Sequence, residues 1–162
     1  MPFRPRLNTL VITPSLQITG QMEPAGSWID FLNSRDKHTF SLYSARLMSI
    51  GGASSVVERE QVTVNRHLIY LLAFPEMGVR ETIPLMRNAV TAIFHAGSIL
   101  CRGDIHMGMD TSLAVFLDEF NGEFIPVTDA SLHSTIAMPA ALPKQLDVAL
   151  LNRSQIQVYF PA

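Results

Sequence analysis

The feature that most constrains this chain is an ordered series of internal matches. Asn65-Arg66-His67-Leu68-Ile69 recurs as Asn152-Arg153-Ser154-Gln155-Ile156, 87 residues later, and Phe74-Pro75 recurs as Phe160-Pro161, 86 residues later. Ala45-Arg46-Leu47-Met48-Ser49 matches Ala130-Ser131-Leu132-His133-Ser134 at a spacing of 85, as does Phe31-Leu32-Asn33 with Phe116-Leu117-Asp118. Gly20 matches Gly103 at 83. The matches keep their order along the chain, and the drift in spacing needs only short insertions. Self-similarity of this kind means that one folding unit was used twice. The expected division is a first β repeat over 7–75, a linker over 76–87 marked by Gly78 and Pro84, and a second β repeat over 88–161.

Within a repeat the periodicity is that of strands. Leu10 and Ile12, then Leu16 and Ile18, alternate around Thr13-Pro14-Ser15. In the second copy Val90 to Phe94 and Ile99 to Ile105 flank His95-Ala96-Gly97-Ser98. A short helix follows in each copy. Ser27, and Thr111 or Ser112, are its expected N-caps. Trp28, Phe31 and Leu32 share one face, as do Leu113, Phe116 and Leu117. Two turns of helix are marginal alone and must be held by packing. Three strands complete each unit: His38–Ile50, Gln61–Val64 and Leu68–Phe74 in the first, then Phe124–Ser134, Leu146–Leu151 and Ile156–Phe160. Asn65 and Asn152 are expected at tight turns because asparagine tolerates left-handed torsions. The loop Gly51–Ser55 is flexible in composition, while Met138–Pro143 is stiffer. The fold class is therefore mainly β: two tandem copies of a small curled sheet or five-stranded barrel, each with one short helix.

The order of hydrophobic and glycine positions in Leu10-Val11-Ile12, Leu16-Gln17-Ile18-Thr19-Gly20, Leu42–Leu47 and Val64–Ile69 resembles that of Sm-like, SH3-type small barrels. Ile93–Gly103 and Leu151–Ile156 are similar. The resemblance covers most of each half and implies a tandem pair of such barrels. Two departures stand out. Asn65-Arg66 and Asn152-Arg153 occupy the place where that family carries Arg-Gly, and the short helix replaces the family's Asp and Asn loop. Those two places bind RNA in that family, so RNA binding does not carry over with the resemblance.

Composition narrows the function. The formal charge of −2 among 16% charged residues leaves no basic run for a nucleic-acid face, although Arg4, Arg6, Arg35, Lys37 and Arg46 could form a local patch. One cysteine excludes a disulfide framework and the usual structural zinc sites. A chain that is 48% hydrophobic with eight Met implies apolar surface covered by another chain. Self-association or a partner protein is the first functional inference. Neither an apolar membrane span nor a signal peptide is read from the residues, and a cytoplasmic location is expected.

The candidate binding residues are Asn65, Arg66, Asn152 and Arg153, because the pair occurs twice. Arginine offers a planar fork to a carboxylate or phosphate. The alternative, which takes precedence, is a structural hairpin whose arginine ties the unit together. Cys101, Asp104 and His106 lie on one strand, with Asp104 and His106 on one face and Cys101 on the other, but too few further ligands accompany them. The five histidines show no metal-ligand spacing. Asp30 and Asp118 are read as helix residues that pair with Arg35 or with backbone amides. No nucleophile elbow, P-loop or dinucleotide glycine pattern occurs. The reading is a non-catalytic protein–protein interaction or assembly module: not an enzyme, with no cofactor and no metal. The alternatives are an Sm-like RNA or single-stranded nucleic-acid binder, and a small-molecule sensor or enzyme with a cleft between the repeats.

Overall fold

The computed structural model describes residues 6–24, 28–52, 55–76, 78–108 and 111–162, leaving aside the side chains of residues 28 and 29. Arg4, the expected cap Ser27, the loop residues Ala53 and Ser54, and Met77 lie outside the described residues, as does the side chain of Trp28.

The chain is mainly β, with two short helices. β1 (Leu7–Ile12) and β2 (Leu16–Met22) form a hairpin, followed by α1 (Trp28–Asn33), β3 (Thr39–Ser49), β4 (Val56–Asn65) and β5 (Leu71–Ala73). The same succession follows: β6 (Asn88–Ala96), β7 (Ile99–Met107), α2 (Leu113–Glu119), β8 (Phe124–Ser134), β9 (Leu146–Asn152) and β10 (Ile156–Pro161). All ten strands make one antiparallel sheet in the order β10-β6-β7-β8-β9-β5-β1-β2-β3-β4.

The pairing order 5-1-2-3-4 therefore occurs twice, and β5–β9 pairing joins the two sets. Among the described residues neither set closes on itself. β4 forms one end of the sheet and β10 the other.

Local devices recur at matching places. Gly20 in β2 and Gly103 in β7 sit where their pairing with β3 and β8 slips. Opposite them, Ser44 and Asp129 both have φ of 49°, which bends the long strand at the same point. A β-carbon on Gly103 would lie 2.5 Å from Val127 Cγ1, so the bend admits only glycine there. The hairpin turns differ. Gly97 takes a φ of +57° that Pro14 cannot adopt, and the first turn instead uses Thr13 Oγ1, which accepts from the Leu16 amide at 3.0 Å.

Strand registers refine one sequence match. Leu72 and Ala73 pair with Val11 and Leu10, and Tyr159 and Phe160 pair with Phe94 and Ile93. The offset between fifth strands thus stays at 87 to their ends, not 86. Phe160 stands where Ala73 stands, and Pro161 where Phe74 stands. The two Phe-Pro pairs are not equivalent, and Phe74 is fully buried while Phe160 is exposed.

Two apolar cores lie on the sheet. One gathers Phe94, Ile99, Ile105, Ile125, Val127 and Leu132 of the second strand set, and also Leu10, Ile12, Leu71 and Ala73 of the first. The other gathers Ile18, Met22, Leu32, Phe40 and Leu42 of the first set, and also Phe124, Val148 and Leu150 of the second. Alternate residues of β1, β5 and β9 serve opposite cores, so these central strands are apolar on both faces. The segment between the sets is not a free linker. It contains a 3-10 turn, Val79–Thr82, whose Val79 is buried with Ile83 in the core that gathers Ile18, Met22 and Phe40. Arg80 pairs with Asp129 at 3.2 Å.

Candidate interaction edges and the strand junction

The two Asn-Arg pairs occupy equivalent corners. Asn65 and Asn152 are not left-handed. Both are extended, with φ of −75° and −72°, and each caps a 3-10 turn, Arg66–Leu68 and Arg153–Gln155. Asn65 Oδ1 accepts from the His67 amide and Asn152 Oδ1 from the Ser154 amide, each at 3.1 Å. The asparagine is selected for its capping oxygen rather than for its torsions.

The arginines then diverge with their surroundings. Each reaches a helix-end carbonyl of its own strand set: Arg66 Nη1 donates to Leu32 O at 3.0 Å, and Arg153 Nη1 to Leu117 O at 3.3 Å. A cation at the C-terminal end of a helix offsets its partial negative charge. Arg66 is buried because the junction covers it, and its Nε lies 2.8 Å from Glu123 Oε2 of the second set. That contact is an ion pair without a linear hydrogen bond, for the Nε–H is not aimed at the oxygen. Arg153 has no such cover and is exposed.

Around Arg66 the junction is polar. His67 Nδ1 lies 2.9 Å from Glu123 Oε1, and His38 Nδ1 lies 3.1 Å from His67 Nε2. Arg35 donates to Asn121 Oδ1 at 2.7 Å rather than pairing with Asp30. Asn33 Oδ1 accepts from the amides of Glu123 and Phe124 at 2.9 and 2.8 Å. Asn152 N donates to Tyr70 O at 3.0 Å, and Gln155 Nε2 to His67 O at 2.9 Å. A cleft of about 310 Å³ runs between Arg35, Arg66, Asn121, Glu123 and Arg153. Asn65, Arg66, Asn152 and Arg153 are thus gathered at or beside one junction. Their side chains hold turns, helix ends and a carboxylate.

The strand Cys101–His106 alternates as expected: Cys101 is buried, while Asp104 and His106 are half-buried on the other face. Burial pushes the Cys101 thiol up to about 12, which makes it inert. Asp104 accepts from Thr91 Oγ1 at 2.6 Å. His106 lies between Met86 O, 3.1 Å from Nδ1, and Thr128 Oγ1, 2.7 Å from Nε2. It borders a cleft of about 450 Å³ walled by Leu85, Met86, Phe116 and Phe120. No group of three metal-ligating side chains occurs among the described residues, and no helix there is long and apolar enough to cross a membrane.

The two open edges are what the candidate residues did not reveal. On β4, Val56 and Val57 are 49% and 40% exposed, and on β10, Val158 and Phe160 are 55% and 43% exposed. The interior counterparts of Val158 and Phe160, Leu71 and Ala73, are fully buried, whereas the places of Val56 and Val57 are taken by Pro143 and the exposed Lys144, ahead of β9. Beside β4 lies a groove of about 320 Å³, lined by Pro14, Leu16, Leu47, Val62, Val64 and Leu68. The corresponding place in the second set is filled. There Tyr70, from just before β5, lies over Gly97, with its ring 2.2 Å from where a β-carbon would stand. Tyr70 packs onto the second core, and Gly97 is the residue type that admits it. The sequence carried two traces of this: Gly97 in place of Pro14, and the charged run Glu58-Arg59-Glu60 where the second set has Gln145, Leu146 and Asp147.

Set against known protein families, curated proteins and solved structures, the chain matches none of them.

Proposed function

We propose that this protein is a non-catalytic interaction module made of two copies of one small curled β unit, and that it acts by adding strands of a partner protein to its sheet edges. One observation carries the reading. β10 exposes Val158 and Phe160, whose interior equivalents Leu71 and Ala73 in β5 are fully buried, and β4 at the other end of the sheet exposes Val56 and Val57. An edge strand offers a row of unpaired backbone donors and acceptors, and exposed apolar side chains beside it supply affinity. The charged side chains of Glu58, Arg59 and Glu60 on β4, and Pro161 on β10, limit how far such pairing can run.

The nucleic-acid alternative is less well supported. Arg66 is engaged with Glu123 and Leu32, and Arg153, the exposed member of the doubled pair, with Leu117 O. The cleft beside His106 has room for a small molecule, with His106, Thr111, Glu119 and Asn121 among its apolar walls, but no group of three metal-ligating side chains stands among the described residues.

Photo-crosslinking in the native cell tests the reading. A crosslinker at Val57 or Phe160 should capture a discrete protein, and one at Val115 or Ile136, exposed but away from both edges, should not. Capture from the second pair of positions and not the first would refute it.

A further inference from the structure

The two end strands are of different kinds, and the molecule already contains the contact that such kinds make. β4 is the fourth strand of the first set, and β10 is the fifth strand of the second. The junction in the middle of the sheet pairs β5 with β9, which are a fifth and a fourth strand. We infer that a second copy of this chain is the occupant of these edges, its β10 pairing antiparallel with β4 in the manner of β5 on β9. The inference rests on the edge-pairing reading above and names its partner.

The register follows from the internal junction. Leu151 pairs with Leu71, Leu150 with Leu72 and Ala149 with Ala73. At offsets of 87, the same geometry sets Val64 of one copy against Val158 of the next, Thr63 against Tyr159, and Val62 against Phe160. The backbone is ready for it. Arg66 N donates inward to His38 O, as Arg153 N does to Glu123 O, and Asn152 N donates outward across the junction to Tyr70 O. By strand alternation the amides of Asn65 and Thr63 point outward from β4. On β10, Ala162 N donates inward to Thr91 O, so Tyr159 N points outward, while Pro161 ends the ladder one pair later.

The groove beside β4 is the same contact with its knob missing. Where Tyr70 fills the place over Gly97, the incoming copy brings Gln157, the residue 87 positions on, to the groove over Pro14. Glu123, which faces Arg66 at the junction, is replaced by His38, so the ion pair with Arg153 is not reproduced. Contact between copies is accordingly weaker than the internal junction. Because the two surfaces differ, the association is head-to-tail: it closes into a ring or extends as a series, according to the rotation per copy.

Sedimentation and light scattering of the full chain, with two edge variants, test this. Thr63→Pro removes an outward amide from β4 without touching its ladder to β3. The pair Val158→Lys with Phe160→Glu alters exposed side chains of β10. The wild type should show a mass above that of one chain that rises with concentration or settles at a fixed multiple. Each variant alone should be a single chain, and their equimolar mixture should be two chains, because one intact edge remains on each. Gln157→Tyr should tighten wild-type association about tenfold by supplying the aromatic knob. A wild type that stays a single chain at millimolar concentration overturns the inference, and so does either variant dimerising alone, since that would be like-to-like pairing. If the wild type stays single while the edge crosslinks still capture a different protein, edge recognition survives and self-assembly does not.

Discussion

Replacing Arg66 by alanine should separate the two arginines that the sequence presents as equals. Arg66 is 5% exposed. Its removal leaves Glu123, whose side chain is 17% exposed, without its cation, and leaves Leu32 O at the end of α1 without its donor. Breaking a buried pair by deleting one partner costs about 3–5 kcal/mol. Glu123 keeps some solvent and keeps His67 at 2.9 Å, so a loss of about 2–4 kcal/mol is expected here. For a chain of this length that lowers the melting temperature by roughly 5–15 °C. Arg153→Ala removes one part-buried hydrogen bond of 3.3 Å and no ion pair, and should cost about 1 kcal/mol. Urea unfolding followed by circular dichroism measures both. The Thr63→Pro background keeps association between copies from adding to apparent stability. In a cycle with Glu123→Ala, the Arg66 and Glu123 losses should be strongly non-additive. Equal losses for the two arginines, or additive losses for Arg66 and Glu123, would refute the view that junction burial sets them apart.

Other consequences are open to measurement. Gly103→Ala should destabilise by about 2 kcal/mol or more, because its β-carbon would meet Val127 and the Thr128 carbonyl at 2.5 and 2.8 Å. Gly20→Ala, with its nearest contact at 3.1 Å, should cost less. Cys101 should resist thiol reagents in the native state at pH 8 and react once the chain unfolds in urea, since burial holds it as the thiol. The sign of its pH effect follows. The thiol's value is raised from 9.0 to about 12 on folding, so its contribution is whole below pH 9. It is lost at about 1.4 kcal/mol per unit as pH rises from there towards 12. Cys101→Ala should remove that slope. Gly97→Ala adds a β-carbon under the Tyr70 ring at a φ of +57°; it should expel the ring and slow nothing else so much as reassembly of the junction, read by faster amide exchange in β5.

Much of the strand pattern was legible because alternation reports burial directly. Leu10, Ile12, Leu16 and Ile18 declared their hairpin, and of Thr111 and Ser112, the two expected caps of α2, Ser112 is the one whose Oγ accepts from the Val115 amide. Alternation in the sequence marks β4 only from Gln61, although the strand starts at Val56, because Glu58, Arg59 and Glu60 lie on an edge, where both faces meet water and alternation is lost. The charged edge was the very sign that the strand ends the sheet. Asn65 and Asn152 were placed at the right corners for the wrong torsional reason, since a capping oxygen and a left-handed torsion select the same residue. The Arg66–Glu123 pair spans 57 residues of sequence, and no local pattern announces it. Tyr70 over Gly97 was equally silent, because it depends on which strand lies beside which. Of the four site residues named from the sequence, Asn65 stands at the end of the edge strand β4, while Arg66, Asn152 and Arg153 lie off both edges.

Strands that are apolar on both faces have a bearing on how this molecule comes apart. Because Leu72 and Leu150 wall one interior while Leu71 and Leu151 wall the other, neither interior survives the departure of its neighbour. Melting should be a single cooperative event despite the twofold plan of the chain, and either half expressed alone should lack a wall and stay unfolded until the other is supplied.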